Sequence, residues 1–291
     1  MSSPNKNCPT CRTKLDIGLQ SWHFKCPNCN YEGSDLQPAI NIESAHAFID
    51  EKARENGLRT LRSKNFKFLI EKILQEKPEG GDLLEVGCAH GWFLELAQKH
   101  FNAVGIEPDE EVAQKTLIKG LPVLQGYFPA DIPENKKFDI IIFNDVIEHI
   151  PNIPYIIEQC HLHLNPEGLL VLNLPSSDGF FYKISKLLSK LTILSPFERM
   201  WQKGLPSPHV HYFNRKNLTT LIHQHEFEIT QQGTLQTISH DGLYDRISFA
   251  SGMNKLSRMA IYIAISASIP FFRLLPSDIF YVIAKKQNPR T

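Results

Sequence analysis

The chain has 291 residues, enough to bury one full α/β core and still carry a small appendage. Its 31 lysines and arginines balance 31 aspartates and glutamates, so no global positive field draws in nucleic acid, and the balance argues against an RNA or DNA substrate. The charged start Met1-Ser2-Ser3-Pro4-Asn5-Lys6 runs into no apolar stretch, so no secretory signal is read there and a cytoplasmic location is expected.

In chain order the first feature is a pair of knuckles, Cys8-Pro9-Thr10-Cys11 and Cys26-Pro27-Asn28-Cys29, separated by a short strand-forming segment. Tetrahedral zinc takes four thiolates, and the CxxC spacing brings two of them to one ion from a single tight turn. The pattern resembles a zinc ribbon and predicts a structural metal held by Cys8, Cys11, Cys26 and Cys29. Residues 1–35 are too few to fold on apolar burial alone, so the metal would supply that module's stability. Trp22, Phe24 and Tyr31 would be core between the knuckles or an exposed contact surface. Cys88 and Cys160 are left as ordinary thiols.

Residues 42–75 carry helical periodicity, with Ala47, Phe48, Ala53, Leu58, Leu61, Phe66, Leu69, Ile70 and Ile73 on one or two apolar faces. This cap, over about 41–76, is expected to cover a ligand entrance on the sheet that follows. Strand and helix patterns then alternate through Leu174, which predicts a parallel sheet with crossover helices.

The first strand of that sheet, Asp82-Leu83-Leu84-Glu85-Val86, runs into Gly87-Cys88-Ala89-His90-Gly91 and a helix, a turn that aims backbone N–H groups at a ligand. A second strand, Val104-Gly105-Ile106, ends in Glu107-Pro108-Asp109, about twenty residues on, where a carboxylate can accept both hydroxyls of a ribose. A buried strand over 138–144 ends in Asn144-Asp145-Val146-Ile147-Glu148-His149-Ile150, and another spans 168–175. Glu107, Gly87, Tyr127 and Asn144 are thus expected to meet beyond the carboxyl ends of the strands.

Four motifs in this order resemble the class I S-adenosylmethionine-dependent methyltransferases over roughly residues 66–286. The resemblance implies a Rossmann-like seven-stranded sheet closed by an antiparallel last strand over 278–286, with the zinc ribbon in front of it in a separate domain. It further implies that Glu85, Gly87, Cys88, Ala89 and Gly91 shape the loop around the methionine part of the cofactor. Glu107 and Pro108 would hold the ribose, Tyr127 or Phe128 would flank the adenine, and Asn144 and Asp145 would line the floor below the methyl. The family's usual glycine is replaced by Ala89, whose methyl is tolerable at φ < 0 and awkward at φ > 0.

For the chemistry, His149 is one candidate general base, with a structural role as the alternative. His211 and Tyr212, in the run Pro206-Ser207-Pro208-His209-Val210-His211-Tyr212-Phe213, resemble the proton-transfer residues of sugar-methylating relatives. Asp145, Glu148 and His149 resemble the metal-binding run of the quinone-biosynthesis O-methyltransferases. The expected acceptor is a small metabolite, a sugar or a glycan- or lipid-linked molecule. The rivals are an RNA methyltransferase and a non-catalytic scaffold that binds partners through its ribbon. Two insertions, about 180–205 and 240–275, break the plain pattern. The first would be a lid or an amphipathic surface helix. Within the second, residues 259–272 are uncharged and would be a buried helix, a dimer surface or a peripheral membrane contact extending to 275.

Overall fold

The computed structural model of the chain describes residues 6–39, 51–244, 247 and 254–287. The ribbon begins with strands β1 (Asp16–Ile17), β2 (His23–Lys25) and β3 (Glu32–Ser34), paired antiparallel in that order. Each knuckle closes by a backbone bond back to its first cysteine, from Arg12 N–H to Cys8 and from Asn30 N–H to Cys26. Arg12 and Asn30, each directly after the knuckle's second cysteine, take φ of 62° and 59°.

Helix α1 (Glu51–Glu76) follows. The expected stretch 42–50, with Ala47 and Phe48, lies outside the described residues, as do the side chains of Ala53 and Leu58. Leu61, Phe66, Leu69, Ile70 and Ile73 are all buried as their spacing predicts. The last four pack on one face of a seven-stranded sheet with Leu83, Phe93, Tyr281 and Ile283.

That sheet alternates β4 (Asp82–Val86), α2 (Trp92–Ala97), β5 (Asn102–Glu107), α3 (Glu110–Ile118), β6 (Val123–Gln125), β7 (Phe138–Asn144), α4 (Ile153–His163) and β8 (Leu164–Pro175). The strands are near-continuous apolar runs because helices cover both faces of a parallel sheet. After β8 come α5 (Phe180–Lys190), α6 (Ser195–Met200), β9 (His211–Tyr212), α7 (Arg215–His223), β10 (Phe227–Thr234), α8 (Lys255–Phe272) and β11 (Ile279–Lys286). Spatial order is β10-β11-β8-β7-β4-β5-β6, and β11 runs antiparallel to both its neighbours. This is the expected mixed sheet with its antiparallel last strand.

The ribbon is built into this body. Its sheet is completed by β9, with Glu32 opposite Tyr212 and Gly33 opposite His211. Cys8, Leu15, Phe24, Cys26 and Tyr31 share one core with Phe213, Leu218, Leu221 and Ile222 of the α7 side. Of the three ribbon aromatics, Phe24 and Tyr31 are therefore core. Trp22 is half-buried and stacks on Phe197 of α6 at 5.7 Å. Glu32 is buried among His23 (2.8 Å), the Tyr182 hydroxyl (2.9 Å) and the Lys186 ammonium of α5. Burial pushes its carboxyl up, but His23 and Lys186 outweigh that and hold it below the usual range.

Candidate active site

A cleft of about 820 Å³ opens at the carboxyl ends of β4, β5, β7 and β8. Its roof includes Leu61, Arg62, Asn65 and Phe66 of α1, and its far wall is the segment Pro206, Ser207 and His209 with Gln37 and Pro38 of the ribbon's tail. Every residue expected to hold cofactor lines it except Gly91, which lies at the start of α2.

The loop after β4 turns by local backbone geometry. Gly87 takes φ 69°, and a Cβ there would lie 2.7 Å from Val146. Gly91 takes φ 74°, with Leu121 and Thr116 where a Cβ would go. Cys88 is buried and fills the space left by Gly105 on β5. Ala89 itself takes φ 44°, the left-handed region in which its methyl is strained. Hydrogen bonds hold it there from both sides. Its N–H donates to Glu107 Oε2 at 2.8 Å, and its carbonyl accepts from the Thr116 hydroxyl at 2.8 Å.

Glu107 is buried at the end of β5 and accepts a second backbone bond from Asp109 N–H at 3.0 Å. Burial nevertheless leaves its carboxyl above the ordinary value. Glu85 is more extreme. Desolvation pushes it up to about 8, and although its Oε1 accepts from Asn144 at 3.0 Å, its Oε2 is buried with no partner. Phe128 is buried against Phe143 and His163, whereas Tyr127 is half exposed at the rim. These groups fit a cationic nucleoside ligand: a glycine cradle, a carboxylate at the end of the next strand, an aromatic side, and a buried acid with one oxygen unpartnered.

The second half of the cleft holds a titratable cluster. Glu148, His149 and His209 bring their ligating atoms within 4.8 Å of one another. His149 donates from Nδ1 to the Pro208 carbonyl at 2.9 Å, which leaves Nε2 as the lone-pair nitrogen, 3.9 Å from Glu148 Oε1. Burial lowers the His149 pKa and, more strongly, that of His209, whose ring lies 4.7 Å from it. Burial, followed by the charge of Asp145, raises Glu148 well above the carboxylate range, and its Oε2 has no partner. Asp145, expected to join Glu148 and His149, turns instead to Arg62 at 3.1 Å from a backbone φ of 55°. His209 stands in the cluster in its place.

His211 and Tyr212 do not reach the cleft, which corrects the expectation of proton transfer by these two. The pairing of β9 with the ribbon turns both side chains into packed interior. His211 Nε2 donates to the Ile150 carbonyl at 2.9 Å and Nδ1 accepts from the Tyr31 hydroxyl. Burial lowers its pKa to about 4. Tyr212 donates to the Met200 carbonyl at 2.9 Å and stacks on Tyr182 at 4.2 Å. The cleft residues to which the sequence assigned no role are Arg62 and His209. His209 lies in the run Pro206 to Phe213, two residues before His211. Arg62 gave no signal beyond its place in an amphipathic helix.

At the ribbon, Cys8 Sγ lies 3.5 Å from Cys29 Sγ and Cys11 Sγ lies 3.4 Å from Cys26 Sγ. Four sulfurs at about 2.3 Å from one tetrahedral ion would stand about 3.8 Å apart, so the set fits a metal held by four thiolates.

The model of the family described as "Methyltransferase domain" matches residues 58–232. The chain therefore belongs to the methyltransferase-domain family, an enzyme family. Among curated proteins it is 26% identical over 204 residues to the mitochondrial ubiquinone biosynthesis O-methyltransferase of Rattus norvegicus, covering 62% of this chain and 58% of that one. It is 28% identical over 152 residues to the ubiquinone biosynthesis O-methyltransferase of Haemophilus ducreyi, covering 48% of this chain and 64% of that one. The matched stretch thus spans little more than half the length of these relatives. Among solved structures, the Thermotoga maritima S-adenosylmethionine-dependent methyltransferase described as a possible histamine N-methyltransferase superposes with a TM-score of 0.55 at 15% identity, over 83% of this chain and 97% of that one. A cyclopropane synthase of Mycobacterium tuberculosis gives 0.54 at 18% identity, over 75% and 84%. These likenesses show the fold of the S-adenosylmethionine-dependent methyltransferases.

Proposed function

We propose that this protein transfers a methyl group from S-adenosylmethionine to a hydroxyl oxygen of a small-molecule acceptor, a ring compound or sugar, free or carried on a glycan or lipid. The observation that carries the reading is the cleft in which the glycine loop, Glu85, Glu107 and Asn144 meet the Glu148-His149-His209 cluster. When bound, the cofactor supplies an electrophilic methyl on a positively charged sulfur. Glu107 would hold the ribose hydroxyls, Phe128 and Tyr127 the adenine. The buried Glu85 Oε2, which has no hydrogen-bond partner, would face the ammonium of the methionine part, with Arg62 nearby for its carboxylate.

In-line displacement needs alignment and, for a neutral hydroxyl, removal of a proton. His149 is arranged for that step: the Pro208 carbonyl fixes its tautomer, and burial keeps the imidazole neutral at pH 7, so Nε2 accepts the hydroxyl proton. Burial and the nearby Asp145 charge favour the protonated form of Glu148, and in that form it can donate to the acceptor's second oxygen. The ribbon cysteines would hold one structural zinc. The balanced charge continues to argue against RNA.

Labelled methyl transfer from S-adenosylmethionine to a catechol probe tests the reading. His149→Ala is expected to lower kcat by about 10²–10⁴-fold with cofactor affinity unchanged. Because the neutral imidazole is the active form and its pKa is lowered, wild-type rate should be flat above pH 7 and fall only below the ordinary histidine value of about 6.5. An unchanged rate in His149→Ala would retire this base.

A further inference from the structure

Helices α5 and α8 turn apolar side chains to solvent, α5 over a buried side of Tyr182, Ser185 and Ser189 and α8 over an inward side that is itself apolar at Ile261, Ile265 and Ile269. On α5 the buried side chains are Tyr182, Ser185 and Ser189, while Ile184, Leu187 and Leu191 just beyond its end face outward, followed by exposed Ile193. On α8 the outward face reads Leu256, Met259, Ala260, Ile263, Ala264, Ala267, Phe271 and, past its end, Leu274, with no charge between Lys255 and Arg273 on that stripe. At about 100° per residue its large apolar members fall within an arc of about 120°. Leu191 is 63% exposed, Leu256 84%, Ile263 60%, Phe271 60% and Leu274 83%. Scattered exposed leucines are ordinary, but a continuous face of this kind marks an interaction surface.

The two helices meet at their bases, where Phe180 and Phe181 at the start of α5 contact Phe272 at the end of α8. Both spring from the rim of the cleft: α5 follows the Pro175 end of β8, and α8 leads into Ile279 of β11, and both residues line the pocket. Neither helix contains an acidic residue. Lys186 is engaged by Glu32 and Lys183 lies 3.6 Å from Asp178, which leaves the exposed Lys190, Lys255 and Arg273 to set the sign of the surface. Among the described residues no helix is long and apolar enough to cross a membrane.

We propose that the α5–α8 face docks in the plane of an anionic lipid bilayer. An apolar stripe flanked by lysine and arginine, with acids absent, matches an interface that offers hydrocarbon beneath negatively charged headgroups. A second copy of the chain would bring the same basic groups face to face, which disfavours a dimer through this surface. The proposal goes beyond the methyl-transfer reading and does not rest on it.

The test is flotation of the full chain with phosphatidylcholine vesicles, with and without phosphatidylglycerol, at low and high salt. Recovery with the anionic vesicles, reduced by salt and by lipid neutrality, is expected. Leu191→Ser and Phe271→Ser alter exposed side chains and should leave thermal stability and cofactor titration unchanged, while each lowers partitioning about tenfold. Absence of flotation on anionic vesicles would overturn the proposal. So would a lipid-independent dimer in sedimentation that the same two substitutions dissociate. The cofactor titration of the variants reports separately on the enzyme reading.

Discussion

His211 makes acid stability a test of how the ribbon is anchored. The imidazole sits between the Tyr31 hydroxyl of the ribbon and the Ile150 carbonyl next to the candidate base, and burial lowers its pKa to about 4. The unfolded chain takes up a proton on this residue near 6.5, and the folded chain only near 4. Above pH 7 both states are neutral there, so the group leaves stability independent of pH. As pH falls from about 6.5 to 4 the unfolded state binds the proton first and stability drops, by a total of about 3 kcal/mol. That is a large part of the 5–15 kcal/mol on which a typical domain rests, by order of magnitude. His149, His209 and the buried acids titrate too, so the quantity to measure is a difference. Urea unfolding of wild type and His211→Gln, followed by far-UV circular dichroism at steps from pH 7.5 to 4.5, isolates it. Gln keeps a donor toward Ile150 and loses the Tyr31 bond, which costs about 1–2 kcal/mol at pH 7.5. On acidification the gap between the two proteins should close and then reverse. A constant gap across that window would refute the assignment of His211 as a buried neutral link.

Two further outcomes follow from the same geometry. Ala89→Gly relieves a left-handed alanine at the cost of a freer unfolded chain, so stability should rise by up to about 1 kcal/mol in thermal melts; a loss greater than that would show that the methyl has a packing role. Loss of the four-cysteine site, by Cys26→Ser or by chelating a metal that these cysteines would hold, should release the wall of the cleft, since Ser34 N–H bonds the Val210 carbonyl at 3.0 Å and its hydroxyl bonds the His209 carbonyl at 2.9 Å. Acceptor KM should therefore rise several-fold while cofactor affinity at the β4–β5 side stays within about twofold, both read by titration; equal loss of the two would mean that the ribbon supports the whole domain instead of one wall.

The parallel part of the sheet was legible because apolar stretches such as 83–86, 138–143 and 168–172 carry or run into polar residues near the same edge. From that edge Gly87, Glu107, Tyr127 and Asn144 could be placed together although they lie far apart in sequence. Long-range pairing was not legible. Nothing near His211 and Tyr212 shows that they form the fourth strand of the ribbon's sheet, 180 residues after Tyr31. That pairing turns them inward and hands the cleft to His209. The same holds for Asp145, whose left-handed backbone directs it to Arg62 on a helix with which it shares no sequence pattern. The insertions were recognisable as interruptions, yet their periodicity gave only an apolar stripe. Which way α5 faces follows from Tyr182 and Lys186 bonding to Glu32, a contact made across 150 residues or more.

The most direct test of the central claim is calorimetric titration of the purified protein with S-adenosylmethionine beside Glu107→Ala. Micromolar binding in the wild type that weakens about 100-fold or more in the variant, by loss of a buried carboxylate's bonds to two hydroxyls, is the expected result. Absence of binding in a folded wild type, or equal binding in both proteins, would contradict the assignment of the cleft.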